Sequence, residues 1–251
     1  MILHGRGVSP GEAQGKVVKV NEPVSFLGDV DPEYGIVFND VDISDSIFVF
    51  PKGKGSTVGS YVIYQLKKNG CSPRAIVNEE TETIVAAGAI ISDIPLVDMI
   101  DTDLLKYGDN VLLDGNSGEL ELQNISSFPV VTSFIEKSGK VLVVKRSDKV
   151  GSFQGRWSAV SGYLERKDPL EQAIEEIREE TKMDVELVNN GDVIFARGDN
   201  NIWEVHPYLF ETQDEPVLNW ENTEYRWVTK EELKKLKTVP KLIEAYDEVK
   251  V

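Results

Sequence analysis

Short apolar runs separated by glycine and polar turns fill the first half of the chain. Runs at residues 16–20, 35–38, 46–50, 74–77, 94–97 and 110–113 have the length and flanking residues of strands. Pro95 has no N–H to give to a ladder, so the run at 94–97 is expected at a sheet edge. Two segments of helical character, SYVIYQLKK at 60–68 and residues 82–91, lie between strand candidates. Gly70 follows the first where glycine favours a helix end. Strands interleaved with helices predict a mixed α/β unit. VLLDGNSGELEL closes it as a hairpin turning at 116–118.

The polar stretch NISSFP at 124–129 ends in proline between this hairpin and a fresh strand pattern, which predicts a linker. Beyond it, residues 130–134 and 141–144 form a second hairpin pattern turning at 137–140. A loop with Gly151 and Gly155 follows, then a strand at 157–160, a helix within 168–183, strands near 193–196 and 203–210, and a C-terminal helical region. No internal repeat relates the halves, so two domains are expected, 1–124 and 128–251.

Composition narrows the partners. The 251 residues carry a formal charge of −16, which opposes non-specific binding to nucleic acid or anionic membrane. Small phosphorylated substrates then need a metal or a local basic pocket. One cysteine, Cys71, excludes an internal disulfide or an iron–sulfur site built by this chain alone. No apolar run approaches the roughly 18 residues of a membrane span, and MILHGRGVSPG lacks the basic and apolar regions of a secretory signal. A cytoplasmic location is expected.

Glu176, Glu179 and Glu180 fall three and four residues apart in DPLEQAIEEIREETKM (168–183), on one face of a helix. Like charges so spaced repel by roughly 0.2–0.5 kcal/mol per pair, and a divalent cation removes that cost. Hard carboxylate oxygens suit Mg²⁺, which completes its shell with water and substrate phosphate. The plain alternative is a solvated acidic face.

GYLE at 162–165 followed by 168–183, with GRWSAVSGYLE around it and WEVHPYLFET later, resembles the Nudix hydrolase signature G-x5-E-x7-R-E-U-x-E-E-x-G-U. The resemblance covers roughly residues 128–251 and implies a Nudix α/β/α sandwich. Glu179 and Glu180 match the E-E pair, and Glu176 matches the glutamate before apolar Ile177. These three are thereby implied as Mg²⁺ ligands, with Glu176 also helping to deprotonate the attacking water. Ala173 and Ile177, four apart, supply the apolar helix face. Three positions depart from the pattern: Glu175 stands where arginine is usual, a gap shorter by one puts Lys167 or Asp168 near the first glutamate, and Lys182 replaces the last glycine.

Arg146 and Arg156 flank the preceding loop and are candidates for neutralising substrate phosphate, Arg156 above all, although exposed arginines need no such purpose. Trp157 and Trp220 are candidates to stack on a base or to serve as ordinary core aromatics. His206, in an apolar strand pattern, is expected to be structural.

In the first half, Pro51 to Ser60 (PKGKGSTVGS) ends a strand and opens a helix. Its glycines permit close ligand approach, and the helix start favours an anion. It is no Walker loop, since Lys54 precedes the final Gly-Ser. A strand-to-helix turn capped by Ser56 is the equal alternative.

GRGVSPGEAQGKV, FVFPKGKGSTVGSYVIYQLKKNG, PRAIVNEETETIVAAGAIISDIPLVD and DGNSGELEL together resemble the small subunits of archaeal phosphomevalonate dehydratases, swivelling domains of the aconitase superfamily. The resemblance implies a large aconitase-like partner subunit that carries an iron–sulfur cluster, with joint dehydration of 5-phosphomevalonate to trans-anhydromevalonate 5-phosphate. It also implies Ser56 as proton acceptor, with Ser60 as the fallback. Lys52, Lys54 and Gly55 would bind substrate and stabilise the alkoxide.

The fold class expected is therefore α/β and α+β: an aconitase-type swivelling β/α domain followed by a Nudix domain. The departures leave open a Nudix domain that binds a nucleotide or isoprenoid diphosphate without catalysis. An isoprenoid diphosphate isomerase is disfavoured because Cys71 lies in the other half.

Overall fold

The computed structural model describes residues 1–165 and 168–250. The chain divides into two compact units, Met1–Ile125 and Ser126–Val251.

The first unit is built on an eight-stranded sheet. Its centre is parallel: Glu12–Lys19, Ile47–Val49, Ala75–Val77 and Leu96–Asp98 lie side by side in that order. The last three are wholly buried, as expected of parallel strands covered on both faces. Phe48, Ile76 and Leu96 meet Val62, Ile63 and Leu66 of helix Gly59–Asn69 and Val85 and Ala89 of helix Thr83–Ile91. The hairpin Asn110–Asp114 and Glu119–Leu122 extends the sheet beside Glu12–Lys19, with Ile2–His4 at the edge.

Gly70 does end the first helix, in the left-handed region at φ 74°. Its N–H reaches the Lys67 carbonyl while that of Cys71 reaches Leu66. Pro95 does not confine its strand to an edge. It precedes Leu96–Asp98 and contributes only its carbonyl, which accepts the Ile76 N–H at 2.9 Å. The outer edge is instead Arg6–Ser9, antiparallel to Leu96–Asp98 and brought from the far end of the unit. The run at 35–38 yields only Ile36–Val37, within a separate three-stranded sheet.

In the second unit the expected linker is mostly strand, because Ser126–Lys137 runs through it. Pro129 is tolerated there as an acceptor for the Leu164 N–H at 3.0 Å. This strand pairs in parallel with Asn201–Glu211 over its length, and antiparallel with Val160–Tyr163 and Lys140–Arg146. Alternation divides its side chains between two cores. Val130 and Phe134 face helix Leu242–Val249, whereas Val131 and Ile135 face helix Pro169–Thr181. A mixed sheet between helices is the α/β/α sandwich expected.

Candidate functional sites

The carboxylate helix, Pro169–Thr181, is fixed at both ends by local chemistry. Asp168 caps it, accepting the N–H groups of Leu170 at 2.9 Å and Glu171 at 3.3 Å, and Pro169 fills the first turn. The Asp168 carboxylate is thus engaged in capping; Lys167, the other residue near the first-glutamate position, lies outside the described residues. Lys182 ends the helix at φ 60°, the conformation for which the family pattern holds glycine. Ala173 and Ile177 are fully buried against the sheet.

That anchoring turns Glu176 and Glu180 toward strand Val160–Tyr163. The Glu176 carboxylate accepts the Gln172 amide at 2.8 Å and lies against Gly162, where a β-carbon would sit 2.0 Å from it. Glu180 is only 3% exposed. Its carboxylate accepts the Ser161 N–H at 3.3 Å and the Asn222 amide. Burial, then repulsion from Glu221 and Glu176, outweighs those bonds and lifts the Glu180 carboxyl to about 8. Burial likewise raises Glu176, with Glu179, Glu221 and Glu175 adding to the effect against the Gln172 bond. Glu179 stays on the exposed side of the helix. Among the described residues no three His, Cys, Asp or Glu side chains are gathered as a metal site.

Ser161 and Gly162 also line a cleft on the other side of the strand. Phe153, Tyr163 and Trp203 form its walls, and Arg146, Thr132 and Ser158 supply polar groups. The Tyr163 and Trp203 rings lie 5.6 Å apart, and Phe128 packs on both. Ser158 is 2% exposed and its hydroxyl has no hydrogen-bond partner. Arg146 is held by the Ser152 carbonyl at 2.9 Å, and burial lowers its pKa against the pull of Glu180, Glu221 and Tyr163.

Arg146, not Arg156, lines this cleft. Arg156 donates to the Thr238 carbonyl at 2.9 Å and ties its loop to the C-terminal segment. Trp157 is buried in the core with the Arg226 guanidinium 4.7 Å from its ring centre, and Trp220 is exposed. His206 is half-buried on its strand. Trp203 and Tyr163 were not singled out by the sequence, where each is one aromatic in a strand. The signal was alternation, which sets Trp203 and Val205 on one face.

In the first unit, Lys52, Lys54, Gly55 and Ser56 lie together in an exposed loop after strand Ile47–Val49. Gly55 has φ +110°, and a β-carbon there would meet the Ser25 hydroxyl at 2.8 Å. Lys54 pairs with Asp29 at 3.3 Å, and the backbone at Lys52 bridges to Glu80. Ser56 is not the helix cap. Its hydroxyl accepts the Val58 N–H at 3.4 Å, and the capping position is Val58 without a side-chain bond. The Ser60 hydroxyl donates to the Thr57 carbonyl at 2.9 Å.

This is an aconitase-type swivelling domain joined to a Nudix domain. The aconitase X swivel domain family matches residues 2–122, and the Nudix domain family matches 127–249. The phosphomevalonate dehydratase small subunit of Thermococcus kodakarensis is 56% identical over 128 residues, 49% of this chain and 96% of that protein. That of Methanosarcina mazei is 55% identical over 127 residues, 47% of this chain and 88% of that protein. The crystal structure of Thermococcus kodakaraensis aconitase X in its holo-form matches at 55% identity and a TM-score of 0.47, covering 49% of this chain and 98% of that one. The chain belongs to the phosphomevalonate dehydratase small-subunit family through its first half and carries a Nudix domain in its second.

Proposed function

We propose that the first unit completes a phosphomevalonate dehydratase with a separate large aconitase-like subunit, and that the second is a Mg²⁺-dependent diphosphate hydrolase. The first reading is carried by 56% identity across 96% of a relative named as that small subunit. Ser56, on an exposed loop where a partner can reach it, takes the proton from the carbon beside the substrate carboxylate. The N–H of Val58 and the lysines at 52 and 54 favour its alkoxide. The partner's iron–sulfur cluster, when bound, supplies the Lewis acidity for loss of the hydroxyl as water. Cys71, buried in this unit, has no part in holding it.

In the Nudix unit the donor chemistry fits a hard divalent cation. Glu176, Glu179 and Glu180 offer only carboxylate oxygens, and a cation beside Glu180 would offset the burial, and the smaller repulsion from Glu221 and Glu176, that raise its carboxyl. These three would hold the ion, which polarises the diphosphate and acidifies a bound water. Glu176, which matches the glutamate before the apolar position of the Nudix pattern, would accept the proton of the attacking water. A flat, polar-edged group of the substrate fits the cleft of Tyr163, Trp203 and Ser158.

Purified chain mixed with a cognate large subunit dehydrates 5-phosphomevalonate on this reading, and a Ser56→Ala mixture that keeps full activity sinks the assigned role. For the second unit, Mg²⁺-dependent turnover of a nucleoside diphosphate derivative is lost in Glu179→Gln. One observation favours binding without catalysis: Asp168, near the first-glutamate position, is engaged in capping the helix. Saturable binding with no turnover by the wild-type chain selects that reading.

A further inference from the structure

Arg6 and Asp98 meet where the edge strand Arg6–Ser9 pairs with Leu96–Asp98. The guanidinium forks onto one carboxylate, Nε to Oδ1 at 3.0 Å and Nη2 to Oδ2 at 2.7 Å. Oδ2 also accepts the Thr81 N–H at 3.2 Å. The two partners differ sharply in exposure: the Asp98 side chain is 0% exposed and that of Arg6 62%. A buried carboxylate is costly, and an ion pair kept only for stability is often no better than apolar packing. What this pair does achieve is a guanidinium locked in one orientation with its outer edge in water. Such a planar fork matches an oxyanion.

Its location suits a ligand. Asp98 ends the last of the parallel strands, and ligands of open α/β sheets bind beyond those ends. The loops there form one shelf: the Pro51 carbonyl accepts the N–H groups of Glu79 at 3.0 Å and Glu80 at 3.2 Å, and the Glu79 carbonyl accepts that of Met99 at 3.2 Å. The loop bearing Ser56 leaves the same shelf from strand Ile47–Val49, three strand positions from Arg6–Ser9. At the usual strand spacing that is about 14 Å between strand axes. The Arg6 guanidinium and the exposed loop that carries Ser56 thus leave the same end of the sheet, where one end of a small substrate can meet each.

We propose that Arg6 binds the phosphate of the substrate, with Asp98 as the residue that positions it; this rests on the dehydratase reading above. The complex of the full chain with its large subunit tests it. Arg6→Gln raises KM for 5-phosphomevalonate about 10- to 100-fold, the loss of one charged hydrogen-bond pair. It changes kcat little, and Arg6→Lys falls between. Inorganic phosphate competes with substrate in the wild type and loses that effect in Arg6→Gln, whereas inhibition by acetate is unchanged. KM and phosphate inhibition both unaltered in an Arg6→Gln complex that assembles normally would overturn the proposal, as would loss of acetate inhibition alone. Calorimetric binding of inorganic phosphate to the same complexes gives a second readout. Should the wild-type complex dehydrate nothing, the dehydratase reading fails, while dependence of phosphate binding on Arg6 still decides this assignment.

Discussion

A β-carbon on Gly162 would lie 2.0 Å from the carboxyl group of Glu176, so the glycine that leads the Nudix pattern and the glutamate fourteen residues later occupy one space. The role of Gly162 is therefore absence of bulk. It lets a helix carboxylate rest against the backbone of strand Val160–Tyr163, one residue from the N–H that holds Glu180.

Gly162→Ala should accordingly expel the Glu176 side chain. On the hydrolase reading proposed above, turnover by the second unit should fall at least tenfold, about 1.4 kcal/mol of transition-state stabilisation. Stability should also drop, and a Gly162→Ala, Glu176→Ala double variant should recover part of it in urea titrations. Strict additivity of the two losses would show that the residues do not share the space.

Glu180 sets a pH dependence. Its carboxyl is raised from 4.5 to about 8 in the folded chain. The stabilisation it contributes is complete below about pH 4.5 and is lost as pH rises through about 8. Without divalent cation, the melting temperature of the second unit should fall across that window, and Glu180→Gln should flatten the fall. Mg²⁺ should raise the melting temperature more at pH 8 than at pH 5, since it replaces the proton. An equal effect at both would remove Glu180 from the site.

Lys182 holds φ 60° at a helix end, with its ammonium on the Glu179 carbonyl at 3.3 Å. Glycine adopts this conformation without the β-carbon cost of roughly 1 kcal/mol. Lys182→Gly should therefore stabilise the unit by about 0.5–1 kcal/mol in urea titrations. A loss of stability would mean that the ammonium contact outweighs the backbone strain.

Tyr163 is half-exposed at the cleft mouth, so its truncation should leave the core intact. Stacking on an aromatic side chain is worth about 1–3 kcal/mol per base. Tyr163→Ala should weaken binding of a nucleoside diphosphate about tenfold and leave isopentenyl diphosphate unaffected. The opposite selectivity, measured by calorimetry, would assign the cleft to an isoprenoid chain.

Features set by neighbouring residues were legible in the sequence. Asp168 and Pro169 announce a helix start, Gly70 a helix end, and Ala173 with Ile177 the buried stripe. What depends on a distant strand was not. Pro95 implied an edge, yet Arg6–Ser9 covers Leu96–Asp98 because the missing N–H belongs to a residue just outside the ladder. The prolyl stretch at 124–129 implied a linker, and pairing with Asn201–Glu211 made most of it strand.

The sequence alone determined both families and the helix face that carries Glu176 and Glu180, because motifs and the 3.6-residue period are local properties. Tertiary structure decided that Glu180 is buried while Glu179 is exposed, that Arg146 rather than Arg156 enters the cleft, and that Arg6 stands locked on Asp98. Each of these depends on which surface of a residue faces a strand or loop far along the chain. Burial and charge pairing are set by that neighbour, and local spacing does not encode it.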